Sequence, residues 1–231
     1  MTSSRKEVTS VNKLNIKTKE LFENVPSYLK PYFDAAEYPW EILPKIKEIV
    51  ANLLQNPLEG YTFLSEGVLV GKDVKIAKTA TIVAPAIIGH GTEIRPGAFI
   101  RGNVIVGEKC VVGNSSEFKN CILLDSVQCP HYNYVGDSIL GYKAHTGAGT
   151  VCSNLKSDGK NIVVHGDKEY ETGLRKIGAI VGDYGDCGCN AVLNPGTIVG
   201  KHTQVYPLTR ARGVYPENSI VKDTYVVVDK K

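Results

Sequence analysis

A six-residue repeat runs through the middle of the sequence, from Leu64 to Leu124. An α-helix has no period of six and a hairpin strand has a period of two, so neither explains this repeat. Hexapeptide periodicity indicates the stacked coils of a parallel β-helix, in which the bulky residue of each repeat points into the core. The bulky apolar residues recur at Leu64, Val70, Ile76, Ile82, Ile88, Ile94, Ile100, Val106, Val112, Phe118 and Leu124.

The repeat is interrupted twice after Leu124. Residues 129–134 are predicted as a first insertion and the polar stretch 153–176 as a second. Counting then resumes at Val181 and ends near Leu208. Insertions in a solenoid form loops on one face, commonly the binding face, so the candidate site residues are sought beside them.

Three regions are predicted around this repeat. Residues 1–60 form a polar arm followed by a helical region, residues 61–210 the β-helix, and residues 211–231 a tail that packs back on the coils. Apolar residues between Trp40 and Leu54 recur on one side of a predicted helix. We expect this helix to cap the open end of the solenoid, whose terminal coil would otherwise expose its core. A helix that binds a partner protein is the alternative.

Composition and charge disfavour several classes of protein. The net charge is only +3, and Lys and Arg are interspersed with Asp and Glu, so no nucleic-acid partner is expected. No run of 18 apolar residues predicts a membrane span, and the N-terminus lacks the apolar stretch of a signal peptide. We therefore expect a cytoplasmic protein whose six cysteines are reduced. The close pair Cys187-Gly-Cys189 is weak evidence for a metal site.

Four polar segments follow one another in a distinctive order. They are Ile94-Arg-Pro-Gly-Ala98, Glu117-Phe-Lys119, His131-Tyr-Asn-Tyr-Val-Gly-Asp137 and Thr146-Gly-Ala-Gly-Thr-Val-Cys-Ser-Asn154. Together they resemble the acetyltransferase half of the bifunctional N-acetylglucosamine-1-phosphate uridyltransferase/glucosamine-1-phosphate acetyltransferase family. The segment from Thr172 to Ile180 resembles archaeal-type sugar-1-phosphate members more closely. The resemblance covers about residues 64–225.

This resemblance implies an all-β fold, a left-handed parallel β-helix with a short N-terminal helical region, assembled as a homotrimer. It also implies acetyl-CoA as acetyl donor, an amino-sugar phosphate such as glucosamine 1-phosphate as acceptor, and no metal for acetyl transfer. No uridylyltransferase activity is expected, because a nucleotidyltransferase domain does not fit ahead of the repeat. A separate nucleotidyltransferase is a possible partner.

The resemblance also implies a role for each matching residue. His131 is the expected general base, and Asn154 contacts the substrate beside it. The positions expected to bind substrate or donor are Arg95, Lys119, Tyr134 and Lys160 for the sugar phosphate, and Ala148 and Cys189 for acetyl-CoA. Lys156 or Lys168 could take the place of Lys160.

The proposed chemistry needs these residue types. The acceptor amine is a nucleophile only after it loses a proton, which a neutral imidazole can accept. Backbone N–H groups at a glycine-rich turn can hold the negative charge that develops on the thioester oxygen. A phosphate needs cations, and the Arg95 guanidinium offers a bidentate fork.

Three departures from the bacterial family pattern leave the acceptor sugar open. Leu155, His145 and Cys189 stand where Tyr, Asn and Ser are usual. They motivate an alternative, a non-catalytic β-helix that binds a sugar nucleotide or scaffolds a partner nucleotidyltransferase. A zinc site formed by His131, His145 and His165 is disfavoured, because no supporting acidic residue is evident from the sequence.

Overall fold

The computed structural model describes residues 14–230, which form a short helical region followed in the sequence by a parallel β-helix of three sheets. Sheet A contains β1 (Thr62–Ser65), β2 (Val68–Val70), β5 (Ala86–Ile88), β8 (Val104–Val106), β11 (Cys121–Leu123), β14 (Ile139–Leu140), β19 (Ala179–Val181), β22 (Thr197–Val199) and β25 (Val214–Tyr215). The all-β prediction with a short helical region is confirmed. The predicted polar arm lies largely outside the described residues.

The other two sheets complete each coil. Sheet B contains β3 (Lys75–Ile76), β6 (Glu93–Ile94), β9 (Val111–Asn114), β12 (Gln128–His131), β15 (His145–Thr146), β20 (Asp186–Cys187), β23 (Gln204–Val205), β26 (Ser219–Asp223) and β27 (Val226–Asp229). Sheet C contains β4 (Thr81–Ile82), β7 (Phe99–Ile100), β10 (Glu117–Lys119), β13 (Tyr134–Gly136), β16 (Val151–Cys152), β21 (Val192–Leu193) and β24 (Arg210–Ala211). The coils therefore continue beyond residue 210, and β27 folds back antiparallel on β26.

The six-residue count is wrong at both ends of the first run. Leu64 lies on β1, which pairs antiparallel with β2, and is 54% exposed. At the other end, the coil shortens by one residue: Ile87 pairs with Ile105, 18 residues later, but Ile105 pairs with Ile122, only 17 residues later. Leu123 rather than Leu124 therefore joins the core inside the coils.

The shorter coil also explains why residues 129–134 are not an insertion. Cys129 and Val135 fill the interior, and the segment lies on β12 and β13, in register with the coil below. The second predicted interruption does leave the coil. It carries a hairpin, β17 (Val163–His165) and β18 (Glu169–Glu171), and Ile139 pairs with Ile180, 41 residues later.

The helical region packs along the side of the solenoid, not across its end as predicted. It contains α1 (Thr18–Leu21), α2 (Lys30–Asp34), two 3-10 turns (Pro39–Glu41 and Leu43–Lys45) and α3 (Ile46–Gln55). The outward residues of sheet A form an apolar stripe that these helices bury: Leu69, Ile87, Ile105, Ile122, Ile139, Ile180 and Ile198. A stripe of this kind needs a cover, because exposed apolar surface is costly in water. In the part of the chain that is described, no helix is long and apolar enough to cross a membrane.

Candidate functional site

Three of the predicted site residues are stacked one above another at a corner of the β-helix. Where sheet B turns into sheet C, His131, Ala148 and Cys189 occupy the same position in successive coils. The Gly149 N–H donates to the His131 carbonyl at 3.1 Å, and the Asn190 N–H donates to the Ala148 carbonyl at 2.8 Å. We call this the B–C corner.

Glycines keep the backbone of the B–C corner open. A Cβ on Gly147 would lie 2.6 Å from the Cys189 nitrogen, and one on Gly149, whose φ is +76°, would lie 2.1 Å from the Asn190 side-chain oxygen. A Cβ at position 147 would meet the backbone of the next coil, and glycine adopts the positive φ of position 149 without strain. Between them, the Ala148 N–H has no acceptor among residues 14–230. This turn therefore presents a backbone donor of the kind that can hold an oxyanion.

His131 and Arg95 lie near each other at this corner without touching. The His131 side chain is exposed, and no group in the described chain hydrogen-bonds to its imidazole. Arg95 is at the same turn two coils earlier, roughly 10 Å away at the spacing of neighbouring strands. Its Nε donates to the Glu93 carboxylate at 3.2 Å, with 30% of the side chain exposed.

A second cluster joins Lys119, Tyr134 and Asn154 at the opposite edge of sheet C. The Asn154 Nδ2 donates to Asp137 Oδ2 at 2.6 Å and to Tyr134 Oη at 3.2 Å. Lys119 Nζ lies 3.7 Å from the same carboxylate, whose side chain is only 7% exposed. Partial burial, with the nearby Glu117 charge, raises the pKa of Tyr134. We call this cluster the C–A corner.

Asp137 is the functional candidate that sequence reasoning missed. The residue ends the quoted His131-to-Asp137 segment, but its central place becomes clear only when Asn154 folds against it from the next coil. Asn120 completes the set, donating from Nδ2 to Asp137 Oδ1 at 2.8 Å. The Asp137 carboxylate therefore accepts hydrogen bonds from the side-chain amides of Asn120 and Asn154 and lies near the Lys119 ammonium group.

The two corners lie at opposite ends of the strands of sheet C. Five residues separate His131 from Gly136, and because the chain bends at Tyr132, whose φ is +52°, the direct distance is shorter than the roughly 16 Å of a fully extended segment. Lys119 pairs with Gly136 at the far end of this span, whereas Tyr134, at the start of β13, follows His131 by only three residues. The predicted catalytic residues are thus spread along sheet C from one corner to the other.

None of the three candidate lysines of the 153–176 segment joins either corner. The Lys160 side chain is exposed, and its N–H donates to Asp158. Lys168 lies over the Tyr170 ring at 4.9 Å. Lys156 lines a shallow cavity of about 380 Å³ beside the C–A corner, together with Ser153 and Asn194. Leu155 also lines this cavity and is 43% exposed.

His145 has an acidic neighbour that the sequence did not reveal. Its Nδ1 lies 2.8 Å from Asp186 Oδ1 on the outer face of sheet B. His165 lies elsewhere, on the hairpin beside Arg212. Cys187 is buried while Cys189 is exposed, so their side chains point to opposite sides. In residues 14–230, no group of three or more His, Cys, Asp or Glu side chains is arranged to hold a metal ion.

The chain resembles known proteins over most of its length. A family model described as the GMPPB C-terminal domain matches residues 82–170. The bifunctional protein GlmU of Methanococcus aeolicus is 29% identical over 216 residues, covering 86% of this chain and 48% of that protein. The bifunctional sugar-1-phosphate nucleotidylyltransferase/acetyltransferase of Sulfurisphaera tokodaii is 31% identical over 210 residues, covering 89% of this chain and 52% of that protein.

The chain therefore spans about half the length of the curated relatives it matches, and that half is the C-terminal one. Among solved structures, the acetyltransferase domain of PglB from Neisseria gonorrhoeae FA1090 is 16% identical, with a TM-score of 0.40 over 64% of this chain and 57% of that chain. The strand pairing of the chain itself establishes its β-helix. Because the Sulfurisphaera tokodaii relative is more than 30% identical and is matched over most of this chain, the chain belongs to the family of these bifunctional sugar-1-phosphate nucleotidylyltransferase/acetyltransferases and corresponds to their C-terminal half.

Proposed function

We propose that this protein transfers an acetyl group from acetyl-CoA to the amine of an amino-sugar phosphate, most directly glucosamine 1-phosphate. The observation that carries this proposal is the B–C corner, where an exposed imidazole stands one coil from an open backbone N–H. A base and an oxyanion donor are the two groups that direct acyl transfer needs. The names of the curated relatives support the same chemistry.

In the proposed reaction, acetyl-CoA lies along the B–C corner and its thioester carbonyl faces the Ala148 N–H. The acceptor amine attacks the carbonyl carbon while His131 takes a proton from the nitrogen. The C–N bond forms, the C–S bond breaks, and the proton passes from His131 to the departing thiolate. These steps use no metal and no covalent enzyme intermediate, and Cys189 lines the path of the acyl chain.

Cationic side chains at both corners suit a phosphate. Arg95 presents a guanidinium beside the B–C corner, and Lys119 an ammonium at the C–A corner. Arginine binds phosphate oxygens in a bidentate manner, whereas lysine acts as a point charge. We assign both residues, with Tyr134 and Asn154, to the sugar phosphate.

The separation of the two corners along sheet C leads us to expect a site shared between copies of the chain. If the C–A corner of one copy faces the B–C corner of the next, a closed ring of three copies forms three complete sites. We therefore expect sedimentation to give a species near three times 25.1 kDa. A monomer that turned over at full rate would contradict this arrangement.

A thiol-release assay tests the function. Acetyl-CoA is offered with a panel of amino-sugar phosphates, their unphosphorylated amino sugars and sugar nucleotides, and free CoA is measured. We expect turnover on at least one amino-sugar phosphate and little on its unphosphorylated counterpart. Release of CoA with none of the acceptors would overturn the proposal.

A second candidate function is a non-catalytic β-helix that binds a sugar nucleotide or scaffolds a nucleotidyltransferase. The exposed Leu155, in place of the usual tyrosine beside Asn154, favours it. Calorimetry with sugar phosphates and sugar nucleotides separates the two functions: tight binding without CoA release would favour the second.

A further inference from the structure

The hydrogen bonds at the C–A corner have a fixed direction. A carboxylate without its proton can only accept, so the Asn154 atom 2.6 Å from Asp137 is the amide nitrogen. The second amide hydrogen goes to Tyr134 Oη at 3.2 Å. Both donors of the Asn154 amide are therefore used. No donor within residues 14–230 reaches its Oδ1, which remains available as an acceptor.

The direction continues to Tyr134. Because the phenol oxygen accepts from Asn154, its own hydrogen is free to donate to another group. Burial raises the pKa of Tyr134 above an ordinary value that is already about 10, so the hydroxyl is protonated at neutral pH. Tyr134 thus offers a donor beside the acceptor of Asn154.

The surroundings hold this arrangement in place. A Cβ on Gly136 would lie 2.6 Å from Tyr134 Oη and 2.8 Å from Asn154 Nδ2, so glycine leaves the space in which the two meet. The Asn154 carbonyl accepts from the Ile177 N–H at 3.2 Å, which ties its backbone to the returning chain. Asp137 is itself buried and is held from its other oxygen by Asn120.

We infer that Asp137 is a positioning residue that sets the polarity of the acceptor site, so that Asn154 presents an oxygen acceptor and Tyr134 a hydroxyl donor to the substrate. The substrate class that fits carries an N–H or O–H group next to an oxygen acceptor, as neighbouring substituents of an amino-sugar phosphate do. This inference rests on the proposed function for its substrate. The hydrogen-bond direction itself is independent of it.

An exchange of two side chains tests the inference. Asp137→Asn turns one acceptor of residue 137 into a donor, which sets donor against donor at either Asn120 or Asn154. We expect kcat/KM to fall by about 10- to 100-fold through the reversed or unpaired Asn154 amide. Asn120→Asp alone places two carboxylates together and should also impair the enzyme.

The double variant should restore the wild-type directions of the two amide hydrogen bonds. With Asn120→Asp and Asp137→Asn together, the new amide donates to residue 120 and accepts from Asn154, with the same net charge and atoms. Asn120 has a φ of +47°, a conformation that aspartate tolerates. We expect kcat/KM within about threefold of wild type, a coupling typical of residues in one network. A double variant no better than Asp137→Asn would overturn the inference.

A spectroscopic readout separates this inference from the proposed function. In protein labelled with ¹⁵N-asparagine, the Asn154 side-chain amide is identified by its loss in Asn154→Ala. We expect its signal to shift in Asp137→Asn and to return in the double variant. In Asp137→Ala, where residue 137 offers Asn154 no acceptor, an unchanged signal would refute the polarity, whether or not any sugar is acetylated. If the signals behave as expected and no acceptor is turned over, the proposed function alone fails.

Discussion

Replacing His131 by alanine should lower kcat by about 10²–10⁴-fold, the usual contribution of a positioned general base. The His131 side chain is exposed at the B–C corner and makes no hydrogen bond within residues 14–230, so the fold should be retained. Steady-state kinetics measures the loss of kcat, with thermal unfolding as a check on the fold.

Arg95→Ala is the matched comparison for His131→Ala. Arg95 lies at the same corner and is assigned to a phosphate whose charge does not change in the reaction, so its loss should raise KM more than it lowers kcat. If His131→Ala keeps nearly full kcat, the assigned base is wrong. His145, whose Nδ1 contacts Asp186, is then the next residue to replace.

Replacing Gly113 by alanine should disrupt the B–C corner, because Gly113 lies in the coil that precedes the coil of His131. A Cβ on Gly113 would lie 1.9 Å from the carbonyl carbon and oxygen of Pro130, the residue before His131. Backbone atoms cannot move aside as a side-chain tip can, so two coils must separate. We expect Gly113→Ala to lower the free energy of unfolding by roughly 3 kcal/mol or more, at the upper end of overpacking effects, and to abolish activity.

Gly91→Ala is the control for this substitution. Gly91 has a φ of +66°, and only the Lys109 side chain, at 3.6 Å, lies near its missing Cβ. Its replacement should cost about 1–2 kcal/mol from backbone strain alone. Chemical denaturation of both variants measures the difference. Equal stability of the two would show that the coils at Gly113 are not packed as described.

The core could be predicted from the sequence until the coil length changed. Counting by six identified inward residues from Val70 to Phe118, because three six-residue repeats make one 18-residue coil with an inward residue on each sheet. The 17-residue coils that follow have no local marker, so Leu124 and residues 129–134 were misassigned. With the 17-residue coil known, His131 and Ala148 would have been recognised as one column; Cys189 joins it only once the length of the 153–176 excursion is also known.

The cover on sheet A and the role of Asp137 were harder to predict, for a physical reason. Ile87 and Ile105 face the helices on the outside of sheet A, but they are a whole coil apart in the sequence and each stands next to an inward residue. The sequence alone does not show that they form one stripe or that another surface covers it. Asp137 depends on contacts with Asn120 and Asn154, each 17 residues away. Roles that arise from stacking of coils follow from register, which residue types alone do not determine.

We expect each catalytic site to combine the B–C corner of one copy with the C–A corner of another. His131→Ala and Asn154→Ala proteins, each inactive, can be unfolded together and refolded as mixed trimers, and CoA release then measured. If every site draws one corner from each of two copies at random, about a quarter of the wild-type activity should return. A mixture no more active than the two separate variants would contradict the account.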